Sequence, residues 1–354
     1  MSSESVSRIE NALRRLPRLG RITVLMDYFV DRLVRVENFD ELVCLMKKKG
    51  ETGGGSVRGV NQIEVKGGNA VNIGYALGVF GANVNLLAIA NSLPKEMLAS
   101  IFSKFNNVNL QIIEGKAGYT TAFEFKERGR HVNVMISDTG DLNSFDGTRL
   151  SKQNIESVKH SDIVAVVNWA ANKEGNHLCE KVFTLAKKNG VKTFFDPADV
   201  SGQNEKLLRL KRSVFDKGLV DYVSLNENEA RIVSGVLFKH TLSRAYSSEE
   251  LKKTARILSE GIGATVDIHT RTMSVSARGE DVISDNCYRV KQETITGAGD
   301  VWGAADLAGH LAKLQDSDRL LFANAAAGLY VSRESAETPS LKEILGFMKK
   351  RRAH

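Results

Sequence analysis

Thr294-Ile-Thr-Gly-Ala-Gly-Asp300 precedes a helical run, Val301–Leu307, and is the most informative stretch of this chain. Its two glycines allow a tight turn that directs backbone N–H groups toward a ligand. The helix behind the turn adds unpaired N–H groups and the positive end of its dipole, which favour an anion such as phosphate. Asp300 can accept a proton from an attacking hydroxyl, which indicates phosphoryl transfer to an alcohol. The alternative is a glycine-rich turn with Asp300 as helix cap.

The composition is that of an ordinary globular protein. With 354 residues, 42% of them hydrophobic and 26% charged, the chain can hold one large α/β domain or two smaller ones. Its apolar runs are too short to span a bilayer, and residues 1–21 lack the apolar core of a signal peptide. The three cysteines are far apart and form no CxxC pair. We therefore expect a cytoplasmic protein with no membrane partner and no cysteine-based structural metal.

The net charge of +7 raises the question of nucleic-acid binding. The basic residues are spread along the chain, apart from short runs at Lys47–Lys49 and Lys349–Arg352. A mildly basic surface also suits an enzyme with anionic substrates, and we expect no nucleic-acid partner.

Short β-rich runs alternate with longer helical runs along most of the chain. The predicted strands are Arg21–Met26, Asn85–Ala90, Asp162–Val167, Val191–Asp196, Asp221–Leu225 and Ala264–His269. The predicted helices include Asn69–Phe80, Glu174–Asn189, Glu227–Ser234 and Glu249–Glu260, and helices dominate after Asp300. Apolar strands separated by helices predict a parallel sheet covered on both faces. No linker divides the chain, so we predict one domain over residues 1–354.

Two stretches break this alternation. Residues 32–66 contain the Gly53–Gly55 hinge and end in an alternating run. Residues 117–138 form two predicted strands, Thr120–Lys126 and His131–Ser137, around a turn at Arg128-Gly129. We predict that the two stretches together form a small β-lid on the main sheet.

A second glycine motif, Gly67-Gly68, opens the predicted helix that contains Asn69 and Asn72. The glycines allow a ligand to approach the backbone closely. The two asparagines are three residues apart and share one helical face, where their amides can bind the hydroxyls of a polyol. The alternative is a helix start capped by Asn69.

Polar residues follow three further predicted strands. Asp27 and Asp31 follow the first strand, and Asp196 ends another, at the sheet edge where open α/β folds bind ligands. Asn226 and Glu229 begin a helix and can hold Mg²⁺ through water. The alternatives are solvated loop acids and, for Asn226, a helix cap.

Other common motifs are absent from the sequence. There is no GxxxxGK[ST] motif, which argues against a P-loop enzyme, and no GxSxG motif. The seven histidines are scattered without metal-ligand spacing, so we expect them to be structural or on the surface.

Taken in order, these motifs resemble those of the ribokinase-like (PfkB) carbohydrate kinases, from about Arg21 to Phe347. Gly297–Asp300 is similar to the family's GAGD signature, Gly67 to Asn83 looks like its N-terminal glycine signature, and Asn226–Glu229 resembles its NxxE motif. The resemblance implies an α/β three-layer sandwich, in which a mostly parallel central sheet is flanked by helices and a β-lid covers the sugar site.

The resemblance also implies roles for individual residues. Asp300 would be the base, and the N–H groups of Gly297, Ala298 and Gly299 would stabilise the transferring γ-phosphoryl group of ATP. Substrate hydroxyls would bind Asp31, Gly67, Gly68 and Asn72. The nucleotide and Mg²⁺ would involve Asn226, Thr270, Arg271, Asn324 and Glu229, the last through water.

The chain departs from the family pattern in several turns. Thr294-Ile295-Thr296 replaces Asp-Thr-Thr, which puts K⁺ activation in doubt unless Glu293 substitutes after a one-residue shift. Thr270–Met273 replaces a glycine-bearing turn, where Arg271 either contacts a phosphate or is only a turn residue. Asn91-Ser92-Leu93 replaces a Gly-x-Asp pattern. The chain is therefore identified as a divergent member, and close relatives do not predict its acceptor.

The leading hypothesis is a Mg²⁺-dependent kinase of a sugar, polyol or sugar-like alcohol, with ATP as donor and ADP not excluded. A nucleoside acceptor would require aromatic residues, for which Tyr28, Phe29, Tyr119 and Trp169 are the candidates. A phosphorylated sugar would require a cation such as Arg128 or Arg130. A different class would be a non-catalytic relative that binds nucleotide or sugar. The resemblance also allows a homodimer through the lid.

Overall fold

Two β-sheets organise the fold, which a computed structural model describes for residues 3–127, 130–293, 296–335 and 337–350. The strands are β1 Arg21–Met26, β2 Phe29–Arg35, β3 Asn61–Gly67, β4 Asn83–Ala90, β5 Val108–Glu114, β6 Gly118–Glu127, β7 Arg130–Asp138, β8 Ile163–Val167, β9 Lys192–Asp196, β10 Tyr222–Asn226, β11 Thr265–His269, β12 Met273–Arg278 and β13 Asp281–Asn286. The helices are α1 Ser3–Leu13, α2 Phe39–Glu51, α3 Asn69–Phe80, α4 Ser92–Phe102, α5 Lys152–Lys159, α6 Gly175–Lys188, α7 Asn204–Leu210, α8 Glu227–Phe238, α9 Ser248–Ile262, α10 Ala298–Leu311, α11 Asp316–Val331 and α12 Leu341–Lys350.

The larger sheet has nine strands in the order β13-β12-β11-β10-β9-β8-β1-β4-β5. The strands from β11 to β5 are parallel, and β12 and β13 form an antiparallel hairpin at one edge. All five residues of β8 are buried, as expected of a strand covered by helices on both faces. The six predicted strands and the mostly parallel sheet are confirmed, with bounds shifted by one or two residues at most.

Helical layers cover the two faces of this sheet. One core joins the sheet to α1, α3, α10, α11 and α12. The other joins it to α5 through α9. The predicted three-layer architecture is therefore confirmed. Within the described ranges, no helix is long and apolar enough to cross a membrane.

The smaller sheet has four strands in the order β3-β2-β6-β7. The sequence prediction omitted α2, which lies between β2 and β3, and its Phe39 ring stacks on Phe125 with 4.4 Å between the centroids. The Asn133 amide of β7 donates a hydrogen bond to the Thr296 hydroxyl at 3.2 Å, just before the glycine turn. The smaller sheet therefore touches the segment that begins α10. The predicted turn at Arg128-Gly129 lies outside the described residues.

Candidate active site

The candidate site lies at the carboxyl ends of the parallel strands. Asp27 follows β1, Asp196 ends β9 and Asn226 ends β10. The helices α3 and α10 begin at the same edge, because side chains in their first turns contact each other. This is the edge at which open α/β sheets bind ligands.

The first turn of α10 is built on Gly297. This residue is the N-cap, with φ 87°, and a Cβ there would lie 2.8 Å from the Tyr330 hydroxyl oxygen. Tyr330 in turn donates a hydrogen bond to the Thr296 carbonyl at 2.8 Å. The first helical hydrogen bond runs from the Val301 N–H to the Gly297 carbonyl at 3.1 Å, so the preceding N–H groups lie ahead of the helical ladder. The turn thus has the geometry of an anion-binding helix start.

Asp300 is held by the first turn of α3. Its Oδ1 accepts a hydrogen bond from the Asn69 amide at 2.9 Å, and its Oδ2 accepts one from the Asn72 amide at 2.8 Å. The alternative interpretation of Asp300 as helix cap is wrong, because Gly297 is the N-cap of α10 and has no side chain. The alternative of Asn69 as cap is also wrong, because Gly68 is the N-cap of α3. Both asparagines instead orient the carboxylate.

The environment of Asp300 favours its protonated form. The pKa of Asp300 is raised to about 8, chiefly by burial and also by the carboxylates of Asp196 and Asp27, while the hydrogen bond from Asn72 and the charge of Lys66 act in the opposite direction. A carboxylate whose pKa lies near the working pH is suited to accepting a proton in a reaction.

Lys66 is a site residue that the sequence analysis did not propose. Its ammonium group donates a hydrogen bond to Asn72 Oδ1 at 2.8 Å and lies 4.6 Å from the centroid of the Tyr75 ring. Burial lowers the pKa of Lys66 to about 8, although Asp300 and Asp31 act in the opposite direction. Its position in the sequence, directly before Gly67-Gly68 and at the end of an alternating run, could have indicated that Lys66 belongs to the site.

Asp27 anchors the start of α3. Its carboxylate accepts hydrogen bonds from the Asn69 N–H at 2.8 Å, the Ala70 N–H at 2.7 Å and the Asn168 amide at 2.8 Å. Asp27 is fully buried, so its interpretation as a solvated loop acid is wrong. A Cβ on Gly68 would lie 2.9 Å from both the carbonyl and a carboxylate oxygen of Asp27, so this turn requires glycine.

Asp31 lies in β2, between Val65 of β3 and Thr120 of β6. Burial raises the pKa of Asp31 to about 6, although Thr120 donates a hydrogen bond to its carboxylate. A Cβ on Gly67 would overlap that carboxylate, so Gly67 allows the close approach of β3. The strand β2, which the sequence analysis did not predict, therefore directs Asp31 toward the same group of acids.

Asn226 and Glu229 form a capping box at the start of α8. The Asn226 side chain accepts from the N–H groups of Asn228 and Glu229, both at 2.9 Å. The Glu229 carboxylate accepts from the Asn226 N–H at 2.8 Å and the Asn226 amide at 2.6 Å. The capping interpretation is confirmed, and the same carboxylate also belongs to the acidic edge of the sheet.

The acids at this edge fit a divalent cation. Burial and then the neighbouring Asp196 raise the pKa of Glu229 well above its usual value. Burial and the Asp27 carboxylate raise the pKa of Asp196 to about 6. Carboxylates that oppose one another's ionisation in this way are a suitable environment for Mg²⁺.

Of the residues predicted near the nucleotide, Thr270 and Arg271 lie in a turn, and Asn324 is buried. Thr270 closes the β11–β12 turn, where its hydroxyl accepts from the Thr272 and Met273 N–H groups, both at 3.1 Å, and Arg271 is exposed. Asn324 is 2% exposed. Its amide donates to Ser274 at 2.9 Å and Asp285 at 3.1 Å and accepts from the Trp302 indole at 3.0 Å. The Asn324 side chain is thus bound within a buried network.

The residues named for a nucleoside acceptor, for a phosphorylated sugar and for K⁺ are only partly covered by the structure. Among the four aromatic candidates, Tyr28, Phe29 and Trp169 are buried, and Tyr119 is 45% exposed. Arg128 lies outside the described residues, as does the side chain of Arg130. Thr294 and Ile295 lie outside them too, and Glu293 pairs with Lys291 at 2.5 Å.

Comparisons with known proteins identify the family and the fold of the chain. A sequence model of the family described as pfkB family carbohydrate kinase matches residues 42–343. A ribokinase from Haemophilus influenzae is 23% identical over 333 residues, which cover 92% of this chain and 98% of the relative. The solved structure of Arabidopsis thaliana ribokinase complexed with ribose and ATP superposes with a TM-score of 0.70 at 18% identity, covering 94% of this chain and 99% of that one. A phosphofructokinase-2 mutant from Escherichia coli gives a TM-score of 0.70 at 15% identity, with coverage of 94% and 99%.

The fold is that of the ribokinase-like α/β proteins. The chain belongs to the pfkB family of carbohydrate kinases. It is accordingly a sugar-kinase-type phosphotransferase, as the sequence analysis predicted.

Proposed function

We propose that this enzyme transfers the γ-phosphoryl group of ATP to a hydroxyl of a sugar, polyol or sugar-like alcohol. The observation that supports this most strongly is the Asp300 carboxylate, held by the amides of Asn69 and Asn72 at the start of α10. Asp300 accepts the proton of the attacking hydroxyl. The hydroxyl oxygen then bonds to the γ-phosphorus, and ADP leaves.

We assign the remaining roles from the family resemblance, and the positions of these residues near Asp300 and the sheet edge support them. The N–H groups of Gly297, Ala298 and Gly299 stabilise charge on the transferring group. Asp31 and the Gly67-Gly68 turn bind acceptor hydroxyls, and Asn72 orients Asp300. Near the nucleotide, Thr270 supports the turn from which Arg271 reaches phosphate. Asn324 supports β12 and β13 beside the adenine ring of the nucleotide. Glu229, positioned by Asn226, holds Mg²⁺ through water, and the cation neutralises phosphate charge when bound.

The experiment is a nucleotide-consumption assay with purified protein, Mg²⁺, and ATP or ADP in parallel. Pools of sugars, polyols, sugar phosphates and nucleosides are offered as acceptors, with and without K⁺, and Asp300→Asn is the control. Turnover with a sugar or polyol pool that requires Asp300 supports the proposal. Turnover with nucleosides alone would show that the enzyme is a nucleoside kinase and not a sugar or polyol kinase. Nucleotide binding without turnover in any pool favours a non-catalytic relative.

We further propose that two copies of the chain pair through the smaller sheet. In the described part of this sheet, β3 and β7 are the edge strands and carry exposed apolar side chains. These are Ile63, Val134, Met135 and Ile136, which are 37–66% exposed. Such residues on an edge strand favour association. Light scattering is expected to give a dimer for the wild type and a monomer for Met135→Lys/Ile136→Lys, and a monomeric wild type would contradict the pairing.

A further inference from the structure

A second group of buried charges lies behind the candidate active site. It consists of Asp267 in β11, Asp306 and His310 one turn apart in α10, and Arg319 in α11. Each of these side chains is at most 5% exposed. Asp306 and His310 follow Asp300 by about 9 and 15 Å along the axis of α10. The cluster therefore joins one sheet strand to two helices, outside the group of acids assigned to catalysis.

Arg319 binds one oxygen of each carboxylate. Its guanidinium donates to Asp267 Oδ1 at 3.0 Å and also to Asp306 Oδ1. The second oxygen of each carboxylate is turned toward the same atom, His310 Nε2, at 3.6 Å in both cases. Arg319 thus fixes both carboxylates so that their Oδ2 atoms and the imidazole nitrogen converge.

The three converging atoms are buried and have no hydrogen-bond partner among the described residues. They lie within 4.8 Å of one another. A separation of 3.6 Å is too long for a hydrogen bond. It is close to the ligand spacing of about 3.3 Å that bonds of about 2.0 Å give around a tetrahedral metal. Leaving three such atoms unpaired would cost free energy, which a shared cation removes.

The cluster carries more negative than positive charge when its carboxylates are ionised. The carboxylates of Asp267, Asp306 and Asp316 face the single guanidinium of Arg319, which contacts Asp316 at 3.1 Å. Arg278 lies 3.8 Å from Asp316 but is largely exposed. When all three carboxylates are ionised, their three negative charges face one positive charge, and one divalent cation would offset the difference.

We propose that Asp267, Asp306 and His310 bind a divalent transition-metal cation of the Zn²⁺ class. Imidazole together with carboxylates suits Zn²⁺ and its neighbours, whereas Mg²⁺ and Ca²⁺ prefer oxygen ligands alone. The site is therefore distinct from the Mg²⁺ site at Glu229. Arg319 holds the carboxylates from outside, and Tyr222 stacks on the His310 ring with 3.8 Å between the centroids.

The surroundings of the cluster indicate a structural role and give the cation a route inward. Tyr222 and Arg278 line a surface cleft of about 560 Å³ together with Thr265, at the amino ends of β10 and β11. This end of the strands is opposite to the edge that carries Asp300. A cation that enters from the cleft would bind β11 to α10 and stabilise the folded state.

The test is the metal content and thermal stability of the chelator-treated protein after addition of Zn²⁺ or Co²⁺. Wild type is expected to bind one ion per chain and to unfold at a higher temperature with metal. Bound Co²⁺ is expected to give the visible absorption of a tetrahedral site with nitrogen and oxygen ligands. His310→Gln is expected to weaken binding at least ~10-fold. The matched control His160→Gln, which alters an exposed histidine paired with Glu156, is expected to bind metal like wild type.

Two results would overturn the proposal. One is a wild type that binds no more Zn²⁺ than His310→Gln and shows no increase in unfolding temperature. The other is an octahedral Co²⁺ spectrum with oxygen ligands only. If His310→Gln fails to fold, the metal count and the Co²⁺ spectrum of the wild type still decide the question.

Discussion

At the scale of single residues, the reactivity of Asp300 depends on side chains from distant parts of the chain. Asn69 and Asn72 bind its two oxygens, and Lys66 binds the Oδ1 of Asn72. Burial raises the pKa of Asp300 to about 8, and Lys66 opposes that shift. The state of the proposed base is thus set jointly by β3, α3 and α10.

Replacing Lys66 should change the pH at which the enzyme becomes active. Lys66→Met removes a cation that favours ionised Asp300, so the pKa of Asp300 rises. Because the base acts unprotonated, the ascending limb of kcat/KM should move to higher pH by about one unit. Lys66→Arg keeps the charge and should leave the limb near its wild-type position. A limb that stays in place in Lys66→Met would show that Lys66 does not influence Asp300.

At the scale of elements, the site depends on two helix starts that face each other. Gly68 begins α3 with φ 91°, and Gly297 begins α10 with φ 87°. The sequence predicted the start of α3, and it predicted a helix next to the second glycine turn, although α10 begins at Ala298 and not after Asp300. It did not predict that the Asn69 and Asn72 amides bind Asp300, because that contact spans more than 200 residues. Lys66 was missed for the same reason, since only the fold brings β3 to α10.

Other elements escaped prediction because their local signals were weak. The helix α2 has a single buried residue, Leu42, and a run of lysines, so its apolar face is poorly marked. The hairpin β12–β13 turns at Arg278–Asp281, and β13 is only partly buried. The alternation of apolar and polar residues over Met273–Arg278 could have revealed β12. Strands β8 and β4 were predicted well, because β8 and most of β4 are continuous apolar runs.

A methyl group at Gly68 should disable the site more than it destabilises the fold. Gly68→Ala combines a positive φ with a Cβ 2.9 Å from Asp27, and it should displace Asn69 and Asn72. Gly190→Ala is the matched control, because Gly190 has φ 73° and open space at its Cβ. Both variants should lose about 1 kcal/mol or more in the free energy of unfolding. Only Gly68→Ala should also lose at least ~10-fold in kcat, because the amides no longer orient the base. Equal activity of the two variants would contradict the assigned role of this turn.

At the scale of the whole molecule, the chain keeps acids buried, in the active site and behind it, at the expense of stability. Burial raises the pKa values of Asp300 and Asp306 to about 8, whereas an aspartate in the unfolded chain has a pKa of about 3.9. Between pH 6.5 and 8 the folded chain therefore holds more protons than the unfolded chain, and the free energy of unfolding falls as pH rises. Burial lowers the pKa of Lys66 and Lys206 to about 8, which acts in the opposite sense, weakly below that pH and more strongly above it.

Urea unfolding in the presence of a chelator should detect this cost. The free energy of unfolding is expected to be lower at pH 8 than at pH 6.5, by on the order of 1 kcal/mol. Adding Mg²⁺ at pH 8 should recover part of the loss, because the cation binds the folded state. A free energy that rises over this interval would contradict the assignment of raised pKa values to these acids.

The most direct test of the central claim is the kcat of Asp300→Asn on the acceptor that wild type phosphorylates. The variant keeps the size of the side chain but cannot accept the proton. Its kcat is expected to fall by roughly 10²–10⁴-fold while its affinity for ATP stays within a factor of about three, as expected of a general base. Asp199→Asn, which changes an exposed acid near Glu229, should retain most of the wild-type kcat. Wild-type turnover by Asp300→Asn would contradict the assignment of Asp300 as the base.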